Sequence, residues 1–223
     1  MNLKASFLYQ ARDSALPMIW FYGIFIALVI LFGSNTNGLE FASSLFLFIV
    51  GLNSFKSNLG MFVQNGVSRR CIFLGRLLTS VAASIFMATV DSALVAVTKA
   101  LPSGIDGFAT LFEHIYRLEG AALLAQRFAY CAAMYLLACT AGYFTTIFFY
   151  RLNKTWKWIV GVSIPLLLNF SARLIVAAAP RFFDSILGIS ANRPMTAALT
   201  FLVAAVLFGT LSFLLMRKAP VKW

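Results

Sequence analysis

The sequence predicts an all-α integral membrane protein with six transmembrane helices and both termini in the cytoplasm. Three observations predict this class: 61% of the 223 residues are hydrophobic, only 11% are charged, and the mean hydropathy is +0.87. Soluble domains are about 45 to 50% apolar and about 25% charged, so the apolar excess must face lipid. Each helical span needs about 20 apolar residues, and six spans therefore use nearly the whole chain.

The elements follow one another along the chain. Residues 1–15 predict an N-terminal amphipathic elbow helix that lies at the inner membrane surface, before Pro17 starts the first span. Residues 16–216 form the transmembrane domain, and residues 217–223 form a cytoplasmic tail. The apolar runs place the six spans at about 16–32, 41–55, 71–98, 120–150, 158–179 and 195–216.

The orientation follows from the distribution of charge. Cytoplasmic loops of membrane proteins are enriched in Lys and Arg, and one side of the predicted spans holds most of the basic residues. That side carries the whole net charge of +11, whereas the other side, to which we assign Glu40, is near neutral. The basicity therefore indicates orientation in the bilayer and does not indicate a nucleic acid partner. The basic residues on the cytoplasmic side are Lys4, Arg12, Lys56, Arg69, Arg70, Arg76, Arg151, Lys154, Lys157, Arg217, Lys218 and Lys222.

The connection between the second and third spans, residues 55–70, predicts a short amphipathic helix on the cytoplasmic side. Gly66 suits a left-handed helix end, and Ser68 suits the N-cap of the next helix. Two interpretations remain open, an interfacial helix bound to lipid and a helix that docks into a cytoplasmic partner. The apolar residues recur at the spacing of one helical face, and they are Phe55, Leu59, Phe62, Val63 and Val67.

The stretch from Phe62 to Leu78, with Gly66-Val67-Ser68-Arg69-Arg70 near its start, resembles the coupling region of ABC-2 type permeases. These are the membrane subunits of small bacterial ABC exporters, and the predicted architecture is similar over the full length. The resemblance implies a coupling helix that sits in a cleft of a separate ATPase subunit. It assigns the ATPase-coupling site to Phe55, Leu59, Phe62, Arg69 and Arg70.

The resemblance further implies a permease of the bacterial plasma membrane that pairs with a second copy, identical or not, and with two ATPase subunits. The sequence lacks the phosphate-binding loop G-x-x-x-x-G-K-[ST], so we expect no enzyme activity and no cofactor in this chain, with ATP and Mg bound by the partner ATPase. Small permeases of this kind are similar to exporters of antimicrobial or amphipathic peptides, including the phenol-soluble modulin exporters. The alternatives are a six-helix substrate-binding subunit of a vitamin importer and a small channel or immunity protein.

Three ionisable residues, Asp91, Arg127 and Arg173, lie inside the predicted spans at similar depth, about 9 to 11 Å below the outer boundary. An unpaired charge there is costly, so we predict that Asp91 pairs with Arg127 or Arg173. Such a pair either holds the bundle together or lines the path of the exported substrate. Arg76 lies only five residues into its span, and we expect it to reach the inner headgroups without a special role.

Overall fold

The structure, a computed structural model, describes residues 3–32, 39–100, 112, 116, 122–153 and 193–217. All regular secondary structure in these residues is α-helical. Five helices in these residues are long, and at a rise of about 1.5 Å per residue the shortest of the five measures about 36 Å. This length exceeds the thickness of the hydrocarbon core of a bilayer, about 30 Å. The long helices are α1 (Leu3–Phe32), α2 (Leu39–Gln64), α3 (Arg69–Ala100), α4 (Ala122–Arg151) and α5 (Pro194–Arg217).

Four of these helices have the length and the hydropathy of a membrane span. They coincide with the second, third, fourth and sixth predicted spans. The predicted first span, 16–32, forms the second half of α1, and the predicted fifth span, 158–179, lies outside the described residues. The apolar stretches long enough to cross a membrane are Leu39–Gln64, Arg69–Val97, Leu124–Arg151 and Pro194–Arg217.

The bundle exposes large apolar side chains and buries a set of polar ones among its apolar core residues. Large aliphatic side chains on α5 are exposed, and Leu199, Val203 and Val206 each expose 60% or more of their surface. This distribution suits lipid, which solvates exposed aliphatic groups and leaves polar side chains to partner one another inside. It indicates a membrane protein. The buried polar side chains are Ser6, Gln10, Ser14, Glu40, Ser43, Ser54, Arg76, Thr79, Ser80, Ser84, Asp91, Arg127, Thr140 and Ser212.

The helix directions follow from pairs of contacts near the two ends of the bundle. α1 and α3 run one way, and α2, α4 and α5 run the other way. α4 therefore ends and α5 begins at opposite ends of the bundle. The contacts that establish these directions are Gln10 with Ile72 and Tyr22 with Asp91 for α1 and α3, Glu40 with Arg127 and Phe55 with Tyr150 for α2 and α4, and Tyr130 with Phe201 and Tyr143 with Met216 for α4 and α5.

Glycines allow the central helix, α4, to touch α2 backbone to backbone. A Cβ placed on Gly51 of α2 would collide with the Cys139 carbonyl oxygen and lie 3.0 Å from the Tyr143 amide nitrogen. A Cβ on Gly142 of α4 would likewise collide with the Phe48 carbonyl oxygen. Membrane helices associate mainly through close packing of this kind, in which small residues bring backbones together.

Two boundaries predicted from the sequence do not separate helices. The predicted elbow helix, residues 1–15, and the first span join in one unbroken α1, which passes through Pro17. The predicted coupling helix, residues 55–70, is likewise not a separate element, because α2 continues without a break to Gln64. The hydropathy of the sequence shows where an apolar stretch ends. A helix can extend beyond that stretch, because its backbone hydrogen bonds are made within the helix itself.

Candidate functional site

The turn between α2 and α3, residues 65–68, ends one helix and starts the next as the sequence predicts. Gly66 has a φ of 69°, the left-handed conformation of a helix C-terminal cap. The amides of Gly66 and Val67 donate to the carbonyl oxygens of Val63 (3.0 Å) and Phe62 (2.9 Å), which is the Schellman pattern. Ser68 Oγ then accepts from the Cys71 amide at 3.3 Å and caps α3.

The apolar face next to this turn packs against the bundle. Phe55, Phe62 and Val67 are buried together with side chains of α3, α4 and α5. Phe62 is fully buried and meets the ring of Tyr9 edge-on at 5.5 Å. Phe55 and Phe62 are therefore anchors of the turn in this conformation and not an exposed contact surface, in contrast to their assignment from the sequence. The side chain of Leu59 lies outside the described ones.

Arg69 and Arg70 differ in exposure. Arg69 is half-buried, and its Nη1 donates to the carbonyl oxygen of Arg217 at 2.9 Å, which ties the start of α3 to the end of α5. Arg70 is exposed beside the turn residues Asn65 and Ser68, which are also exposed. The turn thus presents a small, polar and basic surface held on buried apolar side chains.

We call this end of the molecule the basic end. α1 begins here, α2 turns into α3, and α4 and α5 end here. Its positive side chains project from several helices, so a binding partner would meet a broad basic surface and not one residue. The described exposed basic residues on this part of the bundle are Lys4, Arg12, Arg70, Arg151 and Arg217.

Asp91 lies in the opposite half of the bundle and is almost fully buried. Its Oδ1 accepts from the Tyr22 hydroxyl of α1 at 2.7 Å, and its Oδ2 accepts from the Tyr135 hydroxyl of α4. Among the described residues, the hydrogen-bond partners of Asp91 are therefore two phenols, and Arg127, one of the two predicted basic partners, is not one of them. Arg173, the other proposed partner, lies outside the described residues.

Arg127 pairs with a different carboxylate. Its Nε lies 3.4 Å from Oε1 of Glu40, and both side chains are almost completely buried. The second oxygen of Glu40 accepts from the Phe112 amide at 3.0 Å. Glu40 lies in the first turn of α2, at the end of the bundle opposite the basic end, where a negative charge also suits the helix dipole.

Arg76 is also buried, with 3% of its surface exposed, so it does not reach the headgroups as expected. Its Nη1 donates to Ser14 Oγ at 3.4 Å, and its Nη2 donates to the Val50 carbonyl oxygen and to Cys139 Sγ, also at 3.4 Å. Its guanidinium lies over the ring of Tyr143, 5.9 Å from the centroid. Arg76 points into the bundle, where its hydrogen-bond partners come from α1, α2 and α4.

The sequence analysis missed the partners that matter most in the interior, Tyr22, Tyr135 and Glu40. A tyrosine in the middle of an apolar span is a usable signal, because a buried phenol needs a hydrogen-bond acceptor and Asp91 is an acceptor at that depth. Among the described residues, no three histidine, cysteine or carboxylate side chains come together to hold a metal ion.

The fold and these buried clusters define an α-helical membrane protein with buried charged and polar side chains and a basic end. Comparisons of the chain with protein-family models, with curated proteins and with solved structures find no match.

Proposed function

We propose that this protein is the permease subunit of an ATP-driven exporter and that a separate ATPase docks at its basic end. The observation that carries the proposal is the turn between α2 and α3. It offers Asn65, Ser68 and Arg70 to a partner while Phe62 and Val67 fix it in the bundle. A turn anchored in this way moves α2 and α3 when it is pushed, which is what a coupling element has to do.

The bundle offers a route from the turn to the interior. α3 leads away from the turn and carries Arg76 and Asp91 on its buried face. α2 leads away in the same direction and meets α4 backbone to backbone at Gly51 and Gly142. Because tightly packed helices shift as rigid bodies, a displacement at the turn would rearrange contacts of α3 and α4 around these buried charges.

The proposed orientation places the basic end in the cytoplasm of a bacterium, with both termini on that side. The antiparallel and parallel pairings of the described helices support it, since Leu3 and Arg217 lie at the same end. α4 ends and α5 begins at opposite ends, which suits six spans, although residues 154–192 lie outside the described part of the chain. A second permease copy would complete the translocation path, and two ATPase subunits would bind ATP and Mg²⁺.

The proposed docking surface differs in one respect from the assignment by resemblance. Arg70 and the exposed atoms of Arg69 remain in it, whereas Phe55 and Phe62 act as its anchors. An ATPase cleft that receives this surface should be acidic, because complementary charge speeds association and sets the register of docking. The proposed cargo is an amphipathic molecule such as a peptide, which suits a bundle that buries both apolar and charged side chains.

The test is co-expression of this chain with an ATP-binding-cassette ATPase of the same organism. The two chains should co-purify, and Arg70→Glu should lower the recovered ATPase by about tenfold because it reverses a charge on the docking surface. Arg193→Glu is the matched control, since Arg193 is an exposed arginine beside the start of α5, at the end of the bundle opposite the basic end. Equal recovery of the ATPase with wild type and Arg70→Glu would remove the turn as its docking site.

A further inference from the structure

Arg76 is a buried cation whose described surroundings contain no carboxylate at ion-pair distance. Its partners are a hydroxyl, a backbone carbonyl oxygen and a thiol, each at 3.4 Å. Its Nε has no hydrogen-bond partner within the part of the chain that the structure describes. A buried guanidinium with weak contacts and an unpaired Nε is a costly arrangement, and it favours the binding of an anionic group that the described residues do not supply there.

A small cavity adjoins Arg76 between α3, α4 and α5. Its volume is about 10 Å³, room for a single water-sized group. Ser80, Thr140 and Ser212 line it, but each of these hydroxyls donates to a carbonyl oxygen of its own helix. The guanidinium is therefore the strongest donor facing this space.

A larger apolar groove of about 180 Å³ leads from the cavity to the outside of the bundle. Phe73, Leu77, Thr140 and Gly209 line both spaces, so the two adjoin. The outer wall of the groove includes Val206, which is exposed on the lipid-facing side of α5. A molecule that enters from the bilayer thus meets an apolar channel that ends at a positive charge.

We propose that this groove binds a single-chain amphiphile with a carboxylate head, such as a long-chain fatty acid. One carboxylate oxygen fills the cavity and accepts from Arg76 Nε, while the alkyl chain lies between Leu77 and Val206. The cavity admits one oxygen but not a whole phosphate group, which favours a carboxylate over a phospholipid head. The site does not depend on the proposed ATPase partner, and it stands whether or not an ATPase docks at the basic end.

The test is binding of oleate to the purified full chain in a maltoside detergent, with oleyl alcohol as the uncharged ligand of the same chain length. Oleate should bind at one site per chain, about tenfold more tightly than oleyl alcohol, because only the carboxylate gains charge-assisted hydrogen bonds. Arg76→Gln should weaken oleate binding by about tenfold and abolish the preference for oleate over the alcohol.

A second variant blocks the groove without touching the charge. A Cβ on Gly209 would meet only Leu77 Cδ1, at 3.9 Å, and Gly209 lines the groove, so Gly209→Leu should direct its side chain into the groove. We expect this variant to lose about tenfold or more in oleate affinity. Gly23→Leu is the matched control, because Gly23 is exposed on α1 with nothing within 4 Å of its Cβ position, and it should bind oleate as wild type does.

Three results would overturn the proposal. Equal affinity for oleate in wild type and Gly209→Leu would show that oleate binds elsewhere or that another part of the chain closes the groove. Equal affinity for oleate and oleyl alcohol in wild type would remove the role of Arg76. In a third outcome, phosphatidylglycerol displaces oleate from wild type and fails to bind Arg76→Gln and Gly209→Leu. This outcome would assign the site to a phospholipid phosphate.

Discussion

At the scale of single residues, the bundle stabilises each of its buried charges by a different means. Asp91 accepts from two phenols, Arg127 pairs with Glu40, and the described contacts of Arg76 are with neutral groups, including the ring of Tyr143. Removing the partner of a buried charge should lower the free energy of unfolding strongly, because the charge that remains is buried without compensation. Substitution of these partners therefore tests the described interactions more sharply than substitution of the charged residues.

The Tyr135 hydroxyl is the first of these partners. Tyr135→Phe should lower the free energy of unfolding by about 1 to 2 kcal/mol, since Asp91 then keeps one phenol, that of Tyr22, as a side-chain donor among the described residues. The measurement is a denaturation titration in mixed detergent and SDS micelles. Tyr9→Phe removes a hydroxyl from an exposed tyrosine and should change the value by less than about 0.5 kcal/mol. Equal losses in both variants would contradict the assigned role of Tyr135.

The glycine contact between α2 and α4 gives a second prediction. Gly51→Ala should destabilise the protein by about 1 to 3 kcal/mol in the same titration, because the new methyl group meets backbone atoms that cannot move aside. Gly23→Ala is the control at an open position, and helix propensity alone should make it neutral or slightly stabilising. A Gly51→Ala protein as stable as wild type would show that the two helices do not cross in backbone contact.

At the scale of elements, the turn between α2 and α3 depends on a single left-handed residue. Gly66→Ala should destabilise the protein by about 1 kcal/mol, because an alanine is strained at a φ of 69° although no atom lies near its Cβ. Gly60→Ala, inside α2 and equally unobstructed, should stabilise it by about 0.5 to 1 kcal/mol. The same sign of change in both variants, read from the same titration, would contradict the turn geometry.

The elements were predictable from the sequence to different degrees. The turn was predicted fully, because Gly66 and Ser68 act through their own backbone and neighbours. The position of Asp91 and Arg127 inside the bundle was predicted and both are buried, but their partners among the described residues were not predicted, since the rotation of each helix about its axis decides which side chains meet. The unbroken α1 and α2 could not be read from hydropathy, which measures lipid contact and not helix continuity. The contact at Gly51 depends on the helix crossing and leaves no local pattern.

At the scale of the whole molecule, the basic end and the opposite end make the orientation testable. Asn65 lies on the exposed turn at the basic end, and Arg193 is exposed at the start of α5, at the other end. In intact bacteria, a membrane-impermeant maleimide should label Arg193→Cys directly and label Asn65→Cys only after the membrane is permeabilised. Wild type is the control for the native cysteines, of which Cys131 and Cys139 are buried. The reverse labelling pattern would show that the basic end faces the outside of the cell and would contradict the proposed topology.

The central claim is that an ATPase docks on the turn between α2 and α3. The most direct measurement is photo-crosslinking in living cells from a benzoyl-phenylalanine that replaces Asn65, with the same residue in place of Arg193 as the control. The account predicts a covalent adduct between this chain and the cassette ATPase from position 65 and none from position 193. A functional exporter that gives no ATPase adduct from position 65, or that gives one from position 193, would contradict it.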